Sequence, residues 1–273
     1  MVADTPAWHV AVGTVLGPRH AKAGRESEDA AASQQMAGGH VMAVADGHGS
    51  ERCFRSARGA ELAVASALAV LGRYLDLSHA GARPTDRVPL ARDLVDSWRA
   101  AVQRDLEESP IGSLPSDAQM DGDDEFMPYG TTMLAAAASD DIVVVAQLGD
   151  GESLLASTAQ GPIRPPLRDP ELAADTTTSL ALPDAEDRIR IAFVHLSERP
   201  VDLVLLASDG YSNAFADDAA FGQVATDLLA WLSQRDPQWV AQELPVWLAQ
   251  SAAVSGDDAS LGLLYRWPVP ASS

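Results

Sequence analysis

Carboxylates followed by glycine stand at the ends of apolar runs in this chain. Val41-Met42-Ala43-Val44-Ala45 runs into Asp46-Gly47, Val143 to Gly149 into Asp150-Gly151, and Leu203 to Ser208 into Asp209-Gly210. Glu28-Asp29 sits between the first loop and the second strand, and Asp257-Asp258 precedes the last strand. A carboxylate at the end of a buried strand is partly desolvated, and several converging there repel one another unless a cation neutralises them. Oxygen-only donors favour hard ions such as Mg²⁺ or Mn²⁺. Glycine after each acid lets carbonyl oxygens and water approach such an ion. Asp-Gly is also a common turn dipeptide, so one case means little. The weight rests on three of them at strand ends with an acidic pair on each flank.

The elements that must position these acids follow from the apolar pattern. Strands are predicted at Trp8–Leu16, His40–Ala45, Thr131–Ala138, Asp141–Gln147, Glu152–Ser157, Ile189–Leu196, Asp202–Ala207 and Ser260–Trp267. An Ala- and Leu-rich stretch over 51–75 reads as a buried helix. Leu90, Leu94, Trp98, Val102 and Leu106 recur every four residues and make one apolar helix face. Two more helices are expected near 217–232 and 237–252, with Pro245 kinking or restarting the second. Residues 17–28, 108–129 and 160–187 read as loops, the middle one exposed and carrying acids over 121–125. That acid run lacks the spacing and terminal Glu of an EF-hand, so it reads as solvated. Strands and helices come in runs, which predicts a layered α+β fold rather than strict βαβ alternation.

Composition narrows the partners. Lys and Arg total 19 and Asp and Glu 39, a formal charge of −20 over 273 residues. Such a field repels phosphate backbones, so neither nucleic acid nor an anionic membrane is an expected partner. With 47% hydrophobic residues the chain can bury a full core, and the expectation is a single domain over 1–273 with its core at about 8–267. A lone cysteine, Cys53, excludes an intramolecular disulfide and a cysteine zinc cage. It reads as a small buried helix residue. The first residues lack signal-peptide character and no run is long and apolar enough to span a bilayer, so a cytoplasmic location is expected.

Taken together and in order, these motifs resemble a known family. Glu28-Asp29-Ala30, Val44-Ala45-Asp46-Gly47-His48-Gly49, Gly130-Thr131-Thr132, Leu148-Gly149-Asp150, Leu205-Leu206-Ala207-Ser208-Asp209-Gly210 and Gly256-Asp257-Asp258-Ala259-Ser260 carry the likeness. Over about 13–265 the chain resembles the metal-dependent serine/threonine protein phosphatases of type 2C, the PPM family, in their compact bacterial form. The resemblance implies a four-layer α-β-β-α sandwich with two central antiparallel sheets flanked by helix pairs. It implies two Mg²⁺ or Mn²⁺ ions: Asp46 bridging both, Asp209 and Asp257 completing one site, Glu28 and the carbonyl of Gly47 completing the other, and Asp29 holding metal-bound water. Asp150 with Asp209 matches a third ion site of bacterial relatives. The implied reaction is hydrolysis of phosphoserine or phosphothreonine by a hydroxide bridging the two ions. His48 is the natural proton donor to the leaving alkoxide, because an unperturbed histidine titrates at ~6.5; the bland alternative is a polar turn residue. His20, His40 and His195 read as structural or surface residues.

The chain departs from the family pattern in places. The phosphate-binding arginine usually stands four residues before the position of Glu28, where this chain has Gly24. Arg25 is the first candidate for that task and Arg19 the second, either suited to bidentate phosphate recognition. The segment 160–187 matches the family's flap and diverges, so substrate choice does not carry over. Expected partners are phosphorylated proteins, a serine/threonine kinase or its target among them. Two other readings stay open: a catalytically silent phosphatase-like sensor or adaptor, and a metal-dependent phosphatase of small phosphate esters.

Overall fold

In a computed structural model, residues 6–79, 85–112, 125–165 and 178–269 are described. The acid run 121–124 and the middle of the flap-like segment, 166–177, lie outside them. Ten strands form two five-stranded antiparallel sheets. The first sheet has the order β1 (Ala7–Val15), β10 (Ala259–Trp267), β9 (Leu203–Ala207), β6 (Glu152–Ser157) and β7 (Gln160–Ile163). The second has β2 (Asp29–Met36), β3 (Gly39–Asp46), β4 (Met133–Ala138), β5 (Ile142–Leu148) and β8 (Arg190–His195).

Most inner strands carry apolar residues on both faces because both faces are covered. On β3, Val41, Ala43 and Ala45 pack against α2 (Ser56–His79) and α3 (Arg87–Glu108). Met42 and Val44 turn the other way and meet Leu155, Val204, Leu206 and Leu264 of the first sheet. The outer face of the first sheet packs Leu205 and Leu263 against Leu228 of α6 (Asp218–Leu232) and Leu244 and Leu248 of α7 (Pro237–Ser255). The layers therefore run helix pair, sheet, sheet, helix pair. The α+β sandwich expected from the sequence is the one observed.

Helix boundaries follow local chemistry. Asp86, Asp217 and Asp236 cap α3, α6 and α7 by accepting from Val88 N, Ala220 N and Trp239 N. Gly256, with φ of 82°, ends α7 in the left-handed conformation. The helix runs through Pro245 without a restart. Trp98, fully buried on α3, donates its indole N–H to Gly59 O of α2 at 3.1 Å and locks the pair.

Three segments depart from the expectation. Residues 17–28 are not all loop: α1 spans Pro18–Ala23, with proline at its first turn, where a missing N–H costs nothing. Asp29–Met36 is a strand despite its Ala-Ala-Ala-Ser-Gln-Gln stretch, because all eight residues pair with β3, from Asp29 opposite Asp46 to Met36 opposite Gly39. The segment 160–187 opens as β7 on the edge of the first sheet and closes with α4 (Ala185–Arg188). Cys53 is buried as expected, on a short 3₁₀ turn ahead of α2 rather than on the helix itself.

Candidate active site

Antiparallel register decides which side chains meet. The ends of β1, β3, β5 and β9 and the starts of β2, β4, β6 and β10 lie at one edge of the sandwich, as shown by the pairs Val15–Ala259, Asp29–Asp46, Met133–Leu148 and Glu152–Ala207. Every acid singled out in the sequence sits at this edge or in the turns that leave it.

The backbone there is tightly tied. Gly47 N donates to Glu28 O at 3.0 Å and His48 N to Gly130 O at 3.0 Å. Asp46 N donates to Thr132 Oγ1 at 3.0 Å, and its carbonyl accepts from Thr132 N at 2.8 Å and Thr131 Oγ1 at 2.9 Å. The glycines after the acids have a more immediate use than exposing carbonyls to an ion. A Cβ on Gly47 would lie 2.7 Å from Glu28 O, and one on Gly210 1.9 Å from Asp258 O. Only glycine lets these segments pack so closely.

Asp29, Asp46 and Asp209 form the centre. Burial pushes the Asp46 carboxyl well above the usual range, and the charges of Asp29 and Asp209 push it further. Asp46 and Asp209 also share a side-chain hydrogen bond. Asp209, the first residue of the short helix α5 (Asp209–Ser212), is raised by burial and by Asp150 and Asp257. Asp29 is pushed up to about 7 by burial, against the pull of the Ser260 and Ser208 hydroxyls, and its Oδ2 is buried without a partner among the described residues. Asp150 is exposed, yet its charge reaches Asp46, Asp209 and His48.

The flanks are held by cations and by an acid the sequence reading quoted without assigning it a task. Glu28 is 8% exposed and receives the Arg25 guanidinium. Burial raises its carboxyl, opposed by Arg25 and His20. Arg19 stands 3.6 Å from Asp257, both exposed. The two candidate phosphate arginines thus already rest on acids. Asp258 is a hub, with Oδ1 accepting from Gly17 N at 2.7 Å and Oδ2 from Glu28 N at 2.7 Å. His20 Nδ1 lies 2.9 Å from the same Oδ2, which gives His20 the structural task expected of it. Asp258 was visible only as the second member of an acidic pair; its three donors come from residues more than 200 positions away and left no local signal.

His48 lines the same edge. Its Nε2 is buried without a partner among the described residues, and burial lowers its pKa against the opposing charge of Asp150. Its ring and the Cys53 sulfur bracket Gly130, where a Cβ would come within 3.0 Å of both.

These residues fit hard cations. The central donors are all oxygens, burial and mutual repulsion disfavour their charged forms in a way that a cation would relieve, and one buried oxygen has no partner among the described residues. Among the described residues no set of three acids or histidines is yet arranged to hold an ion. The shared Asp46–Asp209 hydrogen bond and the two arginine pairs are what side-chain rotation must exchange for ion contacts.

Comparison with known proteins shows the family. The model of the protein phosphatase 2C family matches residues 16–249. The chain belongs to that family, whose members are hydrolases acting on phosphoprotein. Among solved structures, the catalytic domain of the serine/threonine protein phosphatase PstP in complex with two manganese ions is 17% identical, with a TM-score of 0.58, over 96% of this chain and 99% of that one. The serine/threonine phosphatase Stp1 from Staphylococcus aureus is 14% identical, with a TM-score of 0.56, over 94% of each chain. The S. agalactiae serine/threonine phosphatase is 14% identical, with a TM-score of 0.57, over 94% of this chain and 99% of that one. At these identities the likeness speaks for the fold. No curated protein sequence matches the chain. Among the described residues no helix is long and apolar enough to cross a membrane.

Proposed function

We propose that this chain is a metal-dependent phosphatase of phosphoserine and phosphothreonine in proteins. The observation that carries the reading is the convergence of Asp29, Asp46 and Asp209, from both sheets, into one mutually repelling cluster with an orphaned carboxylate oxygen. Asp46, Asp209 and Asp257 would hold one ion, and Glu28, Asp46 and the Gly47 carbonyl the other. Asp150 with Asp209 would hold a third. Two Mg²⁺ or Mn²⁺ ions, when bound, lower the pKa of coordinated water to give a hydroxide nucleophile at neutral pH and offset charge on the phosphoryl oxygens.

The remaining work falls to the chain itself. Asp29 orients water from the floor of the cluster. Arg25, or Arg19 in its place, leaves its carboxylate for the substrate phosphate once that carboxylate is neutralised. His48 donates a proton from Nε2 to the leaving serine or threonine oxygen. A substrate dianion beside the imidazole favours its protonated form and so opposes the effect of burial. A phosphorylated protein is the substrate, and a kinase or its target is a fitting source of it. The charge of −20 suits basic phosphopeptides.

Phosphate release from a phosphothreonine peptide with Mn²⁺, with Mg²⁺ and with EDTA tests this, using wild type beside Asp46→Asn and Asp209→Asn. Turnover should need the ion and vanish in both variants. Folded, ion-loaded protein without turnover would overturn the reading in favour of a silent binding domain. Faster turnover of small esters than of phosphopeptides would overturn the protein-substrate assignment.

A further inference from the structure

The corner between α6 and α7 holds a cleft of about 300 Å³ that the chemistry above does not use. Two of the chain's six tryptophans, Trp231 and Trp247, line it, and a third, Trp239, packs against them. Trp231 and Trp247 stack with centroids 6.1 Å apart and planes 25° from parallel, and Trp239 meets both edge-on. Tyr211 and Phe215, 5.6 Å apart, add to the lining. Trp231 and Val254 line the cleft and stay 44% and 71% exposed.

One charged residue, Asp227, belongs to the lining. Gln223 Nε2 donates to its Oδ1 at 2.8 Å, and its Oδ2 has no partner among the described residues. Tyr211 is 3% exposed, and its hydroxyl likewise has no hydrogen-bond partner among the described residues. The cleft therefore offers aromatic faces, an unpartnered carboxylate oxygen and an unpartnered hydroxyl.

Aromatic faces beside a carboxylate select a cation, tryptophan most strongly. A guanidinium suits them better than an ammonium: it is planar, stacks on rings, is more weakly hydrated and has donors for both oxygens. The exposed apolar rim asks for apolar neighbours on the same segment. A second copy of this chain is a poor occupant. It brings a charge of −20 to a rim whose helix begins with exposed Asp217 and Asp218.

We infer that this cleft docks an arginine side chain carried on an apolar segment of the phosphoprotein substrate, a second foothold beside the acid cluster. Tyr211 follows Asp209 by two residues on α5, so the cleft lies one short helix from the candidate centre. A substrate that engages both sites makes the second contact intramolecular and is held at a higher effective concentration. This part rests on the phosphatase reading; the arginine site itself does not.

The test uses the full chain and two probes, acetyl-Leu-Arg-Leu-amide and acetyl-Leu-Gln-Leu-amide, read by tryptophan fluorescence. The arginine probe should give a saturable change, with the glutamine probe about tenfold weaker or more. Asp227→Asn, a near-isosteric change, and Trp231→Ala should each weaken the arginine probe several-fold. Equal binding of both probes, or no response to either, overturns the inference, as does a concentration-dependent dimer that Trp231→Ala dissolves. In a second arm, phosphothreonine peptides with and without a Leu-Arg-Leu segment are turned over by wild type and Asp227→Asn. The variant should raise KM for the longer peptide alone and leave kcat unchanged. An unchanged KM overturns substrate docking. If neither peptide is turned over by wild type, the phosphatase reading fails while the fluorescence arm still decides the arginine site.

Discussion

Replacing Asp258 should cost more stability than replacing any acid of the central cluster. Its side chain is 3% exposed and satisfies two buried backbone N–H groups, Gly17 N and Glu28 N, each at 2.7 Å, besides the His20 ring nitrogen at 2.9 Å. A hydrogen bond to a charged acceptor contributes ~1.5–3 kcal/mol, and an abandoned buried donor costs about as much. Asp258→Ala orphans both amides, so the expected loss is roughly 3–6 kcal/mol. Asp258→Asn keeps one acceptor oxygen and turns an amide N–H toward a donor, for a loss of roughly 2–3 kcal/mol. Asp46→Asn replaces a carboxyl whose charged form burial and neighbouring charges already disfavour, and should change stability far less. Urea unfolding in EDTA, comparing midpoints at an unchanged slope, measures all three. Asp258→Ala within ~1 kcal/mol of wild type would refute the reasoning, since it would mean the hub's donors find water or other acceptors.

His48→Gln should lower kcat on a phosphothreonine peptide by ~10²-fold or more, yet spare p-nitrophenyl phosphate, whose leaving group needs no proton; equal losses on both would remove His48 from the proton-donor role. Asp29 makes the ion-free protein pH-sensitive. Its folded pKa of about 7 exceeds the unfolded value of 3.8, so the folded state holds the extra proton. The stability this proton lends is present in full below the unfolded value and is lost as pH rises toward 7 and past it, by at most ~4 kcal/mol at 1.36 kcal/mol per unit. In EDTA the midpoint at pH 5.5 should therefore exceed that at pH 8, and Asp29→Asn should reduce the difference while Asp46 and Asp209 keep their share; an unchanged slope in the variant would assign the dependence elsewhere.

The layered fold was legible because apolar runs such as Val143–Val145 and Leu203–Leu206 can only be strands covered on both sides, and because Leu90 through Leu106 keep a helical period. Asp46 and Asp209 were legible for a related reason: a charge ending such a run has no apolar place to go. Asp29–Met36 was opaque. Its alanines and glutamines have little strand preference, and pairing with β3 makes the strand. Asp258 stood in plain view beside Asp257, but its partners arrive through tertiary contact. The phosphate-binding task expected of Arg25 or Arg19 was implied by the family resemblance, which did not reveal that both would rest on carboxylates. The cleft between α6 and α7 was invisible, since it forms only where two helices bring Trp231, Trp239 and Trp247 together.

The acids at the edge come from different sheets: Asp29 and Asp46 from β2 and β3, Asp209 and Asp257 from the ends bordering β9 and β10. Face to face, the two sheets meet through interdigitated side chains such as Met42 and Val44 against Leu155, Val204, Leu206 and Leu264. An ion held at that rim would act as a rivet through both plates, so the reagent that makes the nucleophile would also fix the plates against sliding. Starving the protein of divalent cations would then loosen its architecture along one hinge line as well as silence it, and the same shortage would leave it open to proteolysis from the rim inward.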